Sequence, residues 1–255
     1  MSISPSALPG AEPRFECSPS GHLGSAFAAV TERGGGVSVP PFASLNLGRS
    51  TPDMSESVRA NEGRVLEALR LRDSVARLRL EHGARVQRVD QPGLQGPSDA
   101  LVTAREDLIL WLTVADCYPL FVVAGTFRAL GHCGWRGTAA GLVEALIEEL
   151  AGISGVSPAE QRAWIGPGIG PCCYEVGPEV ARRFPSTTVA VREGRLHLDL
   201  PAVARLQLLE GGLSPGSLED TGACTACEPA WYFSHRRDDG CTGHLWGLAA
   251  LRAGA

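Results

Sequence analysis

The sequence predicts an α+β fold, a mixed β-sheet sandwich flanked by helices, and three observations carry that reading. Between Leu108 and Trp135 the chain runs LILWLTVADCYPLFVVAGTFRALGHCGW, three apolar stretches of strand length separated by Asp-Cys-Tyr-Pro and Ala-Gly-Thr. Continuous apolar runs of this kind belong to strands covered on both faces. The segment TAAGLVEALIEEL follows, with Ala139, Leu142, Val143, Leu146 and Leu150 on one helical face. Strand-like and helix-like segments then mix without strict alternation, which favours a sandwich over a doubly wound parallel sheet.

In chain order, residues 1–20 are rich in Pro, Ser and Ala and are expected to form a loosely held arm, with one domain over 21–255. Arg33 to Gly48, RGGGVSVPPFASLNLG, has the Gly and Pro density of an extended loop that crosses a surface or approaches a ligand. Asp53 or Ser55 could cap a helix running to about Leu71, because Val58, Val65, Leu66 and Leu69 recur close to helical spacing. RLRLEHGARVQRVD alternates charged and apolar residues as a strand pair would, broken at a turn holding His82 and Gly83. Further on, RAWIGPGIG reads as a strand entering a Gly/Pro turn. Helices are expected over Val176 to Phe184 and Pro201 to Glu210, and a strand followed by a turn over WYFSHRRDD.

Composition narrows the function. The net charge of -5 with no basic stripe argues against nucleic-acid binding. The longest apolar stretch, Leu108 to Ala124, is interrupted by Asp116 and Pro119, so no membrane span is expected. All 23 basic residues are Arg, which excludes lysine Schiff-base chemistry and the phosphate-binding P-loop. An anion must then be met by arginine, backbone amides or metal. The amino-terminal residues show neither a basic start nor an apolar run, so a cytoplasmic protein is expected, with its eight cysteines as thiols or metal ligands. Small-molecule chemistry in a monomer is the expectation.

Three groupings could do chemistry. His82 and Cys117 fall at turns and His132 ends the third strand, so sheet ends could bring them together. Two imidazoles and a thiolate leave a fourth tetrahedral position for water, as catalytic rather than structural zinc sites do. Against this stands the commoner case of isolated His and Cys as packed or surface groups. Secondly, Cys224 and Cys227 form C-x-x-C while Cys241 and His244 form C-x-x-H, the spacing of a closed structural zinc clip, with free buried thiols as the alternative. Thirdly, GHCGWRGTAAG places Arg136 and glycines just before a helix, where backbone amides could hold an anion; Arg236 and Arg237 could add positive charge.

Taken together, RGGGVSVPPFASLNLG, EHGARV, SDALVT, TVADCYPL, GHCGWRGT, IGPGIGPCCYEVG, LDL and CTACEPAWYFSHRRDDGCTG resemble the laccase-domain family, also described as multicopper polyphenol oxidases or purine nucleoside phosphorylases. The segments appear in the expected order across nearly the whole chain. The resemblance implies an α+β fold shared with a group of cysteine hydrolases. It also implies a zinc held by the His of the HG turn, the Cys of ADC and the His of HxGWRG, here His82, Cys117 and His132.

The implied activity is phosphorolysis of adenosine, inosine and 5'-methylthioadenosine, together with deamination of adenosine. Arg33, Asn46, Arg136 and Arg236 are the candidate substrate or phosphate contacts. This chain departs from the family pattern at Glu62, where an Arg is usual, at Leu80, where a Gln is usual, at Cys133 in place of Ala, and at His244 in place of Arg. Cys241 and His244 are not family features.

Copper is the second choice of metal, because a multicopper centre needs more imidazoles than six histidines without a His-x-His pair provide. The runner-up reading makes Cys117 or the zinc the agent of an amidohydrolase acting on serine-containing peptidoglycan precursors. A third is a binding module stabilised by zinc without catalysis.

Overall fold

The computed structural model describes residues 12–70 and 74–251. Its first half contains β1 (Phe15–Cys17), β2 (Ala26–Thr31), α1 (Ser55–Ala68), β3 (Val75–Leu78), β4 (Val86–Arg88), β5 (Gly93–Gln95), β6 (Ala100–Thr103), β7 (Ile109–Val114), β8 (Tyr118–Ala124) and β9 (Phe127–Cys133). The second half adds α2 (Trp135–Ala139), α3 (Leu142–Ser154), β10 (Arg162–Ile165), β11 (Glu175–Val176), α4 (Pro178–Ala181), β12 (Val189–Arg192), β13 (Arg195–Leu198), α5 (Leu200–Glu210), β14 (Leu218–Asp220) and β15 (Leu245–Leu251).

Two six-stranded mixed sheets, ordered β1-β2-β15-β7-β3-β5 and β14-β10-β8-β9-β6-β4, form the sandwich, and β11-β13-β12 makes a small third sheet. Alternation along the central strands shows how the layers are stacked. In β7, Ile109 and Trp111 join Val65 of α1 and Trp246 in one core. Leu110 and Leu112 point the other way, into a core shared with Phe121, Leu130 and Trp164 of the second sheet. In β8, Leu120 and Val122 turn instead to Leu142, Leu146, Leu200 and Val203 of α3 and α5. The order is therefore helix, sheet, sheet, helix. Both faces of the central strands are covered, which is why they read as continuous apolar runs. Phe121 and Trp164 stack at 4.9 Å between ring centroids in the middle layer; burial of each such side chain contributes roughly 1.5–3 kcal/mol.

The predicted fold class holds, with corrections to several elements. β3 and β4 do not pair. β3 lies parallel to β7 in the first sheet and β4 parallel to β6 in the second, so the turn at His82 carries the chain from one sheet to the other. The predicted single helix after GWRG is two helices, because Gly141 sits at φ 88 between them. Ala139 therefore belongs to a separate short helix. The helix expected to Phe184 is α4 alone, ending at Ala181 before Pro185.

WYFSHRRDD forms turns rather than a strand, although Phe233 is fully buried. Helix α1 ends at Ala68 with Leu69 as its C-cap, short of the end expected near Leu71; residues 1–11 of the expected arm lie outside the described residues. Phe15–Cys17, within that arm, pairs antiparallel with β2. Among the described residues, no helix is long and apolar enough to cross a membrane.

Candidate active site and cysteine cluster

The β7 to β8 connection crosses from the first sheet to the second within Ala115-Asp116-Cys117. So short a crossing requires a sharp turn, and Asp116 takes it at φ 87, a left-handed conformation that asparagine and aspartate tolerate better than other side chains. The buried Asp116 carboxylate accepts the Thr225 hydroxyl at 2.6 Å and the Arg236 backbone N–H at 2.7 Å. These contacts hold the turn that presents Cys117. His82 also occupies a left-handed turn, at φ 63, and His132 lies near the end of β9, paired with Pro119 of β8.

The sequence triad converges. His82, Cys117 and His132 line one cavity of about 570 Å³, within the range of roughly 300–1,000 Å³ typical of small-molecule sites. The two imidazoles meet edge to face at 5.2 Å between centroids. Burial, and after it the Asp116 charge, pushes the Cys117 thiol up to about 12. Burial, with His82 and His244 nearby, pushes His132 down to about 3.

Among the described residues these three side chains do not form a group whose donor atoms all lie within 4.8 Å of one another, yet two features of their surroundings would suit a zinc ion. The Nδ1 atom of buried His132 has no hydrogen-bond partner. In addition, a Cβ added at Gly134 would fall 3.0 Å from the Cys117 sulfur and 3.6 Å from the His132 ring, so glycine keeps the space beside both donors open.

The remaining candidates separate. Asn46 is fully buried, and its Oδ1 accepts the Gly48 and His244 amides at 2.9 Å each. It thereby places His244, which lines the cavity. Arg33 donates to the carbonyls of Ala43 and Pro229 and lies 4.6 Å from the Phe233 ring, fastening the loop rather than facing the cavity. Arg136 stacks on Trp135 at 4.4 Å. Arg236 donates to the Glu175 carbonyl and borders a separate shallow groove.

The arginines that do line the cavity are Arg49, Arg77 and Arg79. Sequence reasoning missed them, although the alternation in RLRL placed Arg77 and Arg79 on one strand face. Three of the positions where the chain departs from its family pattern, Glu62, Leu80 and His244, line the same cavity. Glu62 is buried and binds Arg49 through two hydrogen bonds of 2.6 and 2.5 Å.

The expected clip of Cys224, Cys227, Cys241 and His244 does not assemble. Among the described residues, the metal-ligating atoms that all lie within 4.8 Å of one another are those of Cys172, Cys173, Cys224 and Cys227, a cluster that could hold a metal ion. Cys241 is an exposed free thiol outside that group. The reason is topological: a parallel bridge between Gly168 and Cys224 brings the IGPGIGPCC turn against the C-x-x-C. Sequence spacing across more than fifty residues carries no sign of that pairing.

Residues 27–252 match the family model described as multi-copper polyphenol oxidoreductase laccase. The chain is 39% identical over 230 residues to a purine nucleoside phosphorylase of Deinococcus radiodurans, covering 88% of each. It is 33% identical over 220 residues to purine nucleoside phosphorylase YfiH of Escherichia coli, covering 83% of this chain and 88% of that one. The crystal structure of YlmD from Geobacillus stearothermophilus superposes with a TM-score of 0.86 at 33% identity, over 91% of this chain and 93% of that one. The chain belongs to the multi-copper polyphenol oxidoreductase laccase family, within which its relatives are named purine nucleoside phosphorylases.

Proposed function

We propose that this chain is a zinc-dependent purine nucleoside phosphorylase that cleaves adenosine, inosine and 5'-methylthioadenosine with phosphate, and that the same site deaminates adenosine. The observation that carries the reading is the division of one cavity into two chemistries. His82, Cys117 and His132 supply metal donors, while Arg49, Arg77 and Arg79 bring three guanidinium groups against a single carboxylate, Glu62. A nucleoside with a phosphate co-substrate needs both an apolar berth and a cationic one.

Trp111, Leu80 and Leu94 add apolar wall to the same cavity and suit the flat face of a purine. Arg77 on β3 and Arg79 just beyond it line the cavity and are the cations available to meet a phosphate there. Bidentate guanidinium contacts would orient it for attack on C1' of the ribose as the bond to the purine breaks. Zinc held by His82, Cys117 and His132 would supply Lewis acidity at neutral pH. Asp116 fixes the turn that carries one of those donors.

The cysteine-nucleophile alternative is less favoured, since among the described residues no hydrogen bond joins the Cys117 sulfur to either imidazole. Incubating zinc-loaded protein with inosine and inorganic phosphate should release hypoxanthine and ribose 1-phosphate, and adenosine should give adenine with some inosine. If product forms no faster than with a His132→Ala protein, or if zinc-free protein keeps full activity while becoming covalently labelled at Cys117, the reading fails.

A further inference from the structure

Outside the cavity, two turns distant in sequence press four thiols together. Cys172 and Cys173 lie in a turn closed by the Cys173 and Tyr174 amides donating to the Gly170 carbonyl, and Cys224 and Cys227 lie in a turn closed by the Cys227 and Glu228 amides donating to the Cys224 carbonyl. The Cys227 sulfur stands 3.4 Å from that of Cys172 and 3.3 Å from that of Cys173.

We propose that Cys172, Cys173, Cys224 and Cys227 form a closed structural zinc site, distinct from the cavity. Four sulfurs with no imidazole or carboxylate among them make a tetrahedral soft donor set, which selects zinc or an iron–sulfur centre. All four ligand atoms lie within 4.8 Å of one another, the spacing of donors around one ion rather than around a cluster with its own sulfides.

The backbone amide of Gly170 favours the thiolate form of Cys224. The Gly170 amide donates to the Cys224 sulfur at 3.2 Å, as amides do around zinc-bound thiolates. A Cβ at Gly170 would stand 3.3 Å from the Cys172 sulfur and 3.5 Å from that of Cys224, so glycine lets the backbone close on the sulfurs. Binding would release the thiol protons to solvent. Four protein ligands leave no position for substrate, so the role is mechanical.

The turns stapled by this ion are the ones that grip the Cys117 segment. The Ile169 amide donates to the Asp116 carbonyl at 2.8 Å, the Tyr118 hydroxyl donates to the Ile169 carbonyl at 2.5 Å, and Thr225, one residue past Cys224, donates to the Asp116 carboxylate. The staple therefore holds the two loops between which Asp116, Cys117 and Tyr118 are clamped. This inference does not rest on the nucleoside reading.

The test uses full-length protein purified without oxygen. A His82→Ala/His132→Ala protein, whose cavity donors are gone, should retain about one zinc per chain by elemental analysis. Adding Cys227→Ser to it should reduce that below one tenth. Cobalt(II) loaded into the His82→Ala/His132→Ala protein should show the intense sulfur-to-cobalt charge-transfer band of a four-thiolate tetrahedral site, and a Cys227→His version should keep the ion with a weaker band. The proposal is overturned if folded His82→Ala/His132→Ala protein holds less than one tenth of a zinc per chain and takes up no cobalt. Iron and sulfide in place of zinc, or a native disulfide among the four cysteines, would overturn it equally.

Discussion

The two cysteine-bearing regions of this molecule are built on opposite plans. His82, Cys117 and His132 come from three separate places in the chain, converge on a roomy cavity and leave that cavity open. The four cysteines come from two tight turns and converge on each other within 4.8 Å. The difference separates a place for chemistry from a place for cohesion: open coordination next to arginines can admit a substrate, whereas a filled tetrahedron can only hold loops.

The largest effect that would break this comparison comes from the open site. Cys117→Ala or His132→Ala should lower kcat/KM for phosphorolysis by at least about 10²-fold, the scale seen when a group that stabilises developing charge is removed. Circular dichroism and the metal at the four-cysteine cluster should be unchanged. Equal metal loss from both regions would show that they are not independent.

Next in size are the arginines. Removing one charge-assisted contact to phosphate costs roughly 1.5–3 kcal/mol, so Arg79→Ala or Arg77→Ala should raise KM for phosphate by about tenfold or more while kcat changes less. Arg136→Ala and Arg236→Ala should change it by less than about twofold, because those side chains are occupied at Trp135 and at the Glu175 carbonyl. Steady-state kinetics with phosphate varied at saturating inosine would decide, and the reverse ranking would restore the arginines first favoured on sequence grounds.

What could be seen in the sequence follows from where the signal is local. The strands from Ile109 to Cys133 were legible because both faces are covered, and that His82, Cys117 and His132 could share one cavity was legible because their three motifs are distinctive as strings. The pairing of β3 with β7 and of β4 with β6 was not, since the spacing around His82 is the same whether the chain doubles back or crosses to a second sheet. The phosphate candidates Arg136 and Arg236 lie apart from the lining of this cavity for a related reason. Arg136 and Arg236 sit beside recognisable motifs, yet adjacency along the chain did not bring them to the cavity, while Arg49 reached it from a loop anchored by buried Asn46. The cysteine staple was invisible because half of it lies in the CC of one turn and half in the C-x-x-C of another, joined only by the Gly168 to Cys224 bridge.

The staple sharpens the comparison through stability. Cys227→Ser should lower Tm by about 4–10 °C, since each kcal/mol shifts Tm by roughly 2–4 °C in a domain of this size and a cross-link between distant turns is worth a few kcal/mol. Differential scanning calorimetry of anaerobic protein would measure it, and a shift below about 1 °C would leave the cluster without a mechanical role.

The smallest effect concerns Glu62, the one carboxylate that lines the cavity among the described residues. Glu62 is buried while Arg49 remains about half exposed, at side-chain exposures of 9% and 54%. Their doubly hydrogen-bonded pair draws one of three guanidinium groups away from an incoming anion and holds Arg49 above its ordinary pKa, chiefly through that hydrogen bond. An exposed partner limits what such a pair contributes to roughly 1 kcal/mol or less. Glu62→Gln should therefore lower KM for phosphate by about twofold to fivefold as Arg49 is released, with the gain shrinking as ionic strength rises. If KM for phosphate instead rises, Glu62 is positioning Arg49 for the anion rather than restraining it, and the pair belongs to the binding machinery of the open site.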